Sequence, residues 1–156
     1  MIYSPYTPED FDQLYAIEKR CFEPPFRFGR RYMRQLINRA NAATWIAEED
    51  GQLKGFGIVV WRKGKGNDVT AYIQTIEVAQ ESRGKGIGRE LLVRIENSAR
   101  AACAGMIWLH VDAENAAAIR LYETQGYRCE RREENYYPLG RVALIYRKRL
   151  DSVTPA

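Results

Sequence analysis

Three glycines at alternate positions, set among basic residues, join an extended stretch to a helical one: Arg83-Gly84-Lys85-Gly86-Ile87-Gly88. Ahead of them, Tyr72-Ile73-Gln74-Thr75-Ile76-Glu77-Val78 has the β-branched, apolar composition of a buried strand. Behind them, Ile87, Leu91, Leu92 and Ile95 recur at helical spacing. The first N–H groups of a helix lack internal partners, and the helix dipole places partial positive charge there. Glycines without a Cβ let a phosphate approach those groups, and Arg83, Lys85 and Arg89 add charge. The stretch therefore predicts a bound phosphate or diphosphate. It is neither common nucleotide loop. The third spacing of G-x-G-x-x-G is missing, and no Gly-Lys-Ser/Thr follows. A plain left-handed turn closing a strand-helix pair is the other reading of these residues.

Further along, residues suited to proton transfer are few. His110 is the only imidazole and lies in Met106 to Asp112, which reads as a strand. Its ordinary titration range suits a general base, although a lone strand histidine also serves structure alone. Tyr122 follows Asn115 by about two helical turns, so both project from roughly the same face. By themselves they read equally as a core aromatic and a helix cap. Tyr72 opens the central strand and is either a proton-handling hydroxyl or a packed tyrosine. Cys21, Cys103 and Cys129 are widely spaced and odd in number. With no CxxC and one histidine, no metal site is expected. A nucleophilic cysteine would have only His110 as its base.

Arg83-x-x-Gly86-x-Gly88 after a strand resembles the pyrophosphate loop of the GCN5-related N-acetyltransferases. The block Asn115-Ala116-Ala117-Ala118-Ile119-Arg120-Leu121-Tyr122-Glu123-Thr124-Gln125-Gly126-Tyr127 resembles that family's second signature, in the expected order. The resemblance covers most of the chain. It implies an α/β fold whose mixed central sheet has about seven strands, with flanking helices.

It also implies acetyl-CoA (coenzyme A) as cofactor, with the diphosphate on Arg83, Gly84, Lys85, Gly86, Ile87 and Gly88. Backbone groups of Ile76, Glu77 and Val78 would meet the pantetheine amides as an added strand does, and the Ile76 N–H would polarise the thioester carbonyl. Asn115 matches the asparagine that bonds the pantetheine arm. Tyr122 matches the tyrosine that protonates the leaving thiolate.

Leu109-His110-Val111 is similar to the segment of eukaryotic N-terminal acetyltransferases in which a histidine helps deprotonate the amine. Bacterial ribosomal-protein alanine acetyltransferases carry glutamate there. Tyr72 matches a tyrosine that assists the base in some N-terminal enzymes, where histone-type relatives place glutamate. A bulge in this strand is a family feature, so alternation leaves the facing of Glu77 open. Asn135-Tyr136-Tyr137-Pro138 is similar to a loop beside the substrate's first residues. Together with Phe22, Pro25 and Phe26, Tyr136 and Tyr137 would line a peptide groove. The loop Phe22 to Gly29 equally reads as one that pins aromatics into the core.

The implied reaction is direct attack of a primary amine on acetyl-CoA, with no covalent enzyme intermediate. The acceptor it favours is the N-terminal α-amino group of a protein or peptide. Lysine, a small-molecule amine, and non-catalytic acyl-CoA binding are the alternatives.

These residues need a frame, and the rest of the chain supplies one. At 156 residues it suits a single domain over 1–150 with a tail over 151–156. A hydrophobic share of 46% is enough for a core. No apolar run of about 18 residues predicts a membrane span, and no basic-then-apolar start predicts a leader, so a cytoplasmic location is expected. The net charge of +4 suits a small polyanion such as coenzyme A. Without a nucleic-acid motif, DNA or RNA is not an expected partner.

In chain order, a strand over 2–6 precedes a helix that starts at Thr7-Pro8-Glu9-Asp10 and runs to about Cys21. A second helix is predicted over 30–41. Strands over 44–49 and 53–62 flank the Asp50-Gly51 turn. A turn over 63–68 leads to the central strand from about Val69. The helix after the glycines is predicted to reach about Ala104. A helix over 114–125 ends at Gly126. Strands over 127–133 and 141–149 flank a loop over 135–140.

Overall fold

Thr7 opens the first helix through its neighbour: the Asp10 carboxylate accepts from the Thr7 N–H (2.8 Å) and hydroxyl (3.2 Å). In the computed structural model, which describes residues 1–151, β1 (Ile2–Pro5) leads into a 3-10 turn at Pro8–Asp10 and then α1 (Phe11–Cys21). There follow α2 (Arg30–Ile37), β2 (Ala42–Glu49), β3 (Gln52–Lys63), β4 (Val69–Val78) and α3 (Ile87–Ala101). The chain continues through β5 (Ala104–Asp112), α4 (Ala116–Thr124), β6 (Arg128–Tyr137) and β7 (Arg141–Arg149). The proposed tail, beyond Asp151, lies outside the described residues.

The strands form one seven-stranded sheet in the order β1-β2-β3-β4-β5-β7-β6. All neighbours are antiparallel except β4 and β5, which are joined by the α3 crossover and run parallel. Asp50 and Gly51 both take positive φ (53° and 76°), the conformation that a two-residue hairpin between twisted strands requires.

Helices cover both faces. Phe11, Leu14, Tyr15 and Ile17 of α1 and Met33 of α2 pack with Ile46, Phe56 and Ile58. Leu92, Ile95 and Ala99 of α3 pack on the opposite face against Val59, Ala71, Ile73, Ile107 and Leu109, and Tyr122 of α4 joins that cluster. A Cβ at Gly57 would stand 2.5 Å from the Ile95 side chain, so glycine lets α3 seat against β3.

Several boundaries differ from the sequence reading by a few residues, and three of the differences have a visible cause. α2 stops at Ile37 because Asn38 leaves helical geometry. Asn41, expected in that helix, instead donates through Nδ2 to the Trp61 carbonyl at 2.6 Å. α3 stops at Ala101, where Cys103 adopts φ of 66° and turns the chain into β5. Asn135, Tyr136 and Tyr137 belong to β6 rather than a loop, but the ladder is interrupted between Glu133 and Tyr137, where Asn135 has φ of 54°.

Candidate active site

β4 and β5 pair only between Val69–Tyr72 and Ala104–Trp108. Beyond that point β4 stays with β3 as far as Val78, while β5 stays with β7 as far as Asp112. The sheet therefore opens into a wedge. The Ala79 N–H donates to the Lys54 carbonyl at 2.8 Å, so in this antiparallel register Glu77 bonds through its backbone to β3, while Ile76 and Val78 turn their backbone groups to the wedge. Of the three residues expected along a pantetheine arm, Glu77 is the one that does not face it.

A bulge makes this geometry. Ile58 faces Thr75 and Val59 faces Ile73, which leaves Gln74 without a partner. The extra residue reverses the alternation. Ala71 and Ile73 point to the α3 side, and so do Ile76 and Val78 after the bulge. Thr75 and Glu77 are thereby turned toward α1. The Glu77 side chain is buried there.

At the wide end of the wedge the glycine loop turns into α3. Gly84 and Gly86 have φ of 79° and 82°, and Gly86 is the N-cap. The Glu90 N–H is bonded to the Gly86 carbonyl at 3.1 Å, which leaves the Ile87, Gly88 and Arg89 N–H groups at the start of α3 as anion donors. A Cβ at Gly84 or Gly86 would meet nothing within 4 Å, so the outer face of this loop is open. The Ile87 side chain is buried and contributes to a site only through its backbone. Arg83 is turned back: Nε donates to the Val78 carbonyl (3.0 Å) and Nη2 lies 3.6 Å from Cys21 Sγ. It ties the loop to the end of β4, while Lys85 and Arg89 stay exposed.

At the narrow end, Tyr72 and His110 meet. The Tyr72 hydroxyl lies 2.8 Å from His110 Nδ1. The Tyr136 ring stacks on the imidazole at 3.9 Å and 9°, and Trp108 packs against Tyr72 with centroids 4.6 Å apart. Burial lowers the His110 pKa. Glu133 opposes that shift, and Arg131 adds to it. The imidazole is thus held neutral, as a base must be. Burial, helped by Tyr136 and Tyr137, pushes the Tyr72 hydroxyl above its usual range. Tyr122 is buried and raised for the same first reason, with Tyr137 next. It therefore keeps its proton at neutral pH.

Residues 11–127 match the model of the acetyltransferase (GNAT) family. The chain belongs to this family. The sheet of seven strands with helices on both faces is the GNAT fold, and the family match bears out the enzyme class and the acetyl-CoA donor implied by the sequence. Histone acetyltransferase MCC1 of Arabidopsis thaliana is 27% identical over 162 residues; the match takes in 89% of this chain but only 64% of the plant protein's length. The [Ribosomal protein bS18]-alanine N-acetyltransferase of Escherichia coli is 37% identical over 68 residues, which are 44% of this chain and 46% of that one. The crystal structure of Arabidopsis thaliana NAA60 in complex with acetyl-CoA superposes with a TM-score of 0.83. It is 24% identical over 96% of this chain and 98% of that one, a likeness of fold.

The GNAT wedge has the room and donors that acetyl-CoA needs: an unpaired β4 edge, free amides at the start of α3, and open space over Gly84 and Gly86. Asn115 caps α4, its Oδ1 accepting from the Ala118 N–H at 3.1 Å, which leaves Nδ2 as a donor for a ligand. Phe22 and Pro25 are exposed. Phe26 lies under the Arg141 guanidinium at 5.6 Å, so the 22–29 loop meets the β6–β7 turn. Tyr136 and Tyr137 pack edge to face at 4.9 Å beside His110 and Tyr122. Phe28 is the aromatic of that loop that joins the core. Its N–H donates to Glu18 Oε2 (2.9 Å), and its carbonyl accepts from the Tyr15 hydroxyl (2.9 Å).

Sequence reasoning missed two participants. Glu133 lies 3.3 Å from His110 Nε2. The register break between Cys129 and Arg131 hides its facing from any alternation count. The other is Glu18, fully buried against Glu77. Glu77 Oε2 accepts from the Thr75 hydroxyl at 2.8 Å, while Glu18 Oε1 and Glu77 Oε1 find no other donor. Burial first, then the neighbouring Glu18 carboxyl, raises the Glu77 pKa well above the carboxylate range. A proton on Glu77 resolves the orphaned oxygens.

That proton carries a pH signature. The folded chain holds it more tightly than the unfolded chain, so stability falls as pH rises above the unfolded carboxyl range of about 4.3. The slope is at most about 1.4 kcal/mol per pH unit, or about 3–5 °C in Tm. Glu77→Gln keeps an acceptor for Thr75 and places N–H donors toward Glu18. Calorimetry from pH 5 to 9 is expected to show the variant gaining on the wild type as pH rises. Parallel curves would rule out the shared proton.

Proposed function

We propose that this GNAT enzyme acetylates the N-terminal α-amino group of a protein or peptide, and that it does so in the cytoplasm. The observation that carries the reading is the Tyr72–His110 pair, placed under Tyr136 where β4 and β5 part. An α-amino group titrates near about 8, so a neutral imidazole is base enough for it, whereas a lysine near about 10.4 needs more help. A groove between the 22–29 loop and the β6–β7 turn, with Phe22, Pro25 and Phe26 on one side and Tyr136 and Tyr137 on the other, suits an extended chain end. Tyrosines there give flat contact area and hydroxyls at low entropy cost. The three cysteines are free thiols, and Cys103 and Cys129 are exposed, which suits a reducing compartment.

Acetyl-CoA supplies the thioester on which the amine acts. Residues 84–88 would hold its diphosphate end, with backbone groups of Ile76, the Val78 N–H and the Asn115 amide along the arm, while Arg83 braces the loop against β4. The Ile76 N–H would face the thioester carbonyl oxygen and stabilise charge on it. His110, reached through the Tyr72 hydroxyl or a water, takes the amine proton. Tyr122 keeps its own proton ready for the departing sulfur.

A panel of free-amine peptides, N-terminally blocked lysine peptides and polyamines, incubated with labelled acetyl-CoA, tests the acceptor by mass spectrometry. Free N-termini are expected to be acetylated at least about tenfold faster in kcat/KM, about 1.4 kcal/mol in transition-state binding. Equal or faster lysine or polyamine turnover would replace this reading with that acceptor class.

A further inference from the structure

We propose that Glu133 is a positioning residue that fixes the tautomer of His110 and supports the imidazolium formed during turnover. The kinetic part rests on the reading of His110 as the base; the tautomer part does not.

His110 stands between two oxygen groups. Nδ1 faces the Tyr72 hydroxyl at 2.8 Å, and Nε2 faces Glu133 Oε2 at 3.3 Å. A carboxylate only accepts, so Nε2 must carry the hydrogen. The neutral ring then has its lone pair on Nδ1, aimed at Tyr72. The other tautomer would set a lone pair against a carboxylate and require Tyr72 to accept. Glu133 is itself held, since Arg131 Nη2 donates to its Oε1 at 3.2 Å. The ring has little freedom to turn: Tyr136 stacks on one face, Trp108 lies 5.2 Å away, and the imidazole side chain is only 9% exposed.

The charged and titratable neighbours decide the sign. β4 brings Tyr72, and β6 brings Glu133, Arg131 and Tyr136. β7 sets Ile145, which does not titrate, opposite His110. On β5 itself Asp112 is engaged by Arg141 at 2.8 Å. Glu133 is thus the anion in contact with the imidazole, and it raises the proton affinity that burial and Arg131 lower.

Proton flow balances through this row. The amine proton passes to the Tyr72 oxygen as the Tyr72 hydrogen moves to His110 Nδ1. The resulting imidazolium lies between a neutral phenol and the Glu133 carboxylate, and release to solvent reverses the steps. Glu133 touches neither acceptor nor donor in this scheme; it acts through His110.

Because His110 is the only histidine, histidine labelled with nitrogen-15 reports one imidazole. Long-range proton–nitrogen spectra of the wild type, taken above the imidazole midpoint, are expected to show hydrogen on Nε2 and a bare Nδ1. Glu133→Gln retains an acceptor for Nε2–H, so the tautomer persists, but the midpoint falls. Glu133→Leu removes the acceptor, and the second tautomer becomes populated. In kinetics, Glu133→Gln moves the acid limb of kcat to lower pH together with the midpoint. The plateau drops about three- to tenfold, because a weaker base drives proton transfer less.

A backbone amide spectrum checks that each variant is folded. Hydrogen on Nδ1 in the wild type, or a Glu133→Leu tautomer equal to wild type, overturns the proposal. If the tautomer responds while the acid limb ignores the midpoint, Glu133 positions His110 and it is the base reading that fails.

Discussion

Gly86→Asp is expected to cost about a hundredfold or more in acetyl-CoA affinity while leaving the fold intact. Gly86 takes φ of 82° as the N-cap of α3, a left-handed conformation that costs a residue with a Cβ about 1–2 kcal/mol. That strain alone is modest, and aspartate tolerates the region better than most residues. The larger effect is charge. A Cβ at Gly86 points into open space, which is the space a diphosphate must use to reach the N–H groups of Ile87, Gly88 and Arg89. A carboxylate there sits on the positive end of α3 itself and repels the incoming anion by about 2 kcal/mol or more at effective dielectrics between protein and water. Affinity loss of about a hundredfold corresponds to about 2.7 kcal/mol. Gly86→Ala separates the terms, since it keeps the strain and omits the charge. Calorimetric titration with coenzyme A is expected to rank wild type, then alanine, then aspartate far below. Equal affinity in all three would remove the diphosphate from this loop.

The glycine loop was legible in sequence because everything it needs is local. A strand, three glycines and a helix start fix the donors within a few residues, whatever the rest of the chain does. The same holds for the Asp50-Gly51 hairpin and for the Asn115 to Gly126 helix, whose cap and stop are both short-range features. Legibility ends where a strand slips register. Gln74 makes Glu77 face α1 instead of the wedge, and the breaks in β6 carry Glu133 to His110 and Tyr136 over its ring. None of these facings follows from period-two counting. Arg83 shows a second limit. Its charge and place in the motif suggest a phosphate ligand, yet its guanidinium is engaged by the Val78 carbonyl and Cys21, a choice made by tertiary contacts. The Glu18–Glu77 pair is a third. Two carboxyls far apart in sequence become neighbours only when α1 packs on β4.

His110→Ala is expected to lower kcat/KM by about a hundredfold near neutral pH, with the loss shrinking as pH rises. A positioned general base contributes about 10²–10⁴-fold. Burial keeps the His110 pKa below its ordinary range, so the wild-type imidazole is already neutral at pH 7 and its rate gains little from added alkali. The variant depends on acceptor that has lost its proton unaided. That fraction grows about tenfold per pH unit until the α-amino pKa near about 8 and then saturates. The two profiles therefore converge between pH 6 and about 9. Alanine also unstacks Tyr136 and leaves the Tyr72 hydroxyl without its partner, which by itself would lower activity at every pH. His110→Gln is the control, because it offers Tyr72 an acceptor but does not titrate. If both variants converge on wild type at high pH, the missing function is proton removal. If the deficit is constant across pH in both, His110 orders the cleft and proton removal belongs to another group, with Tyr72 and water the remaining carriers at that end of the wedge.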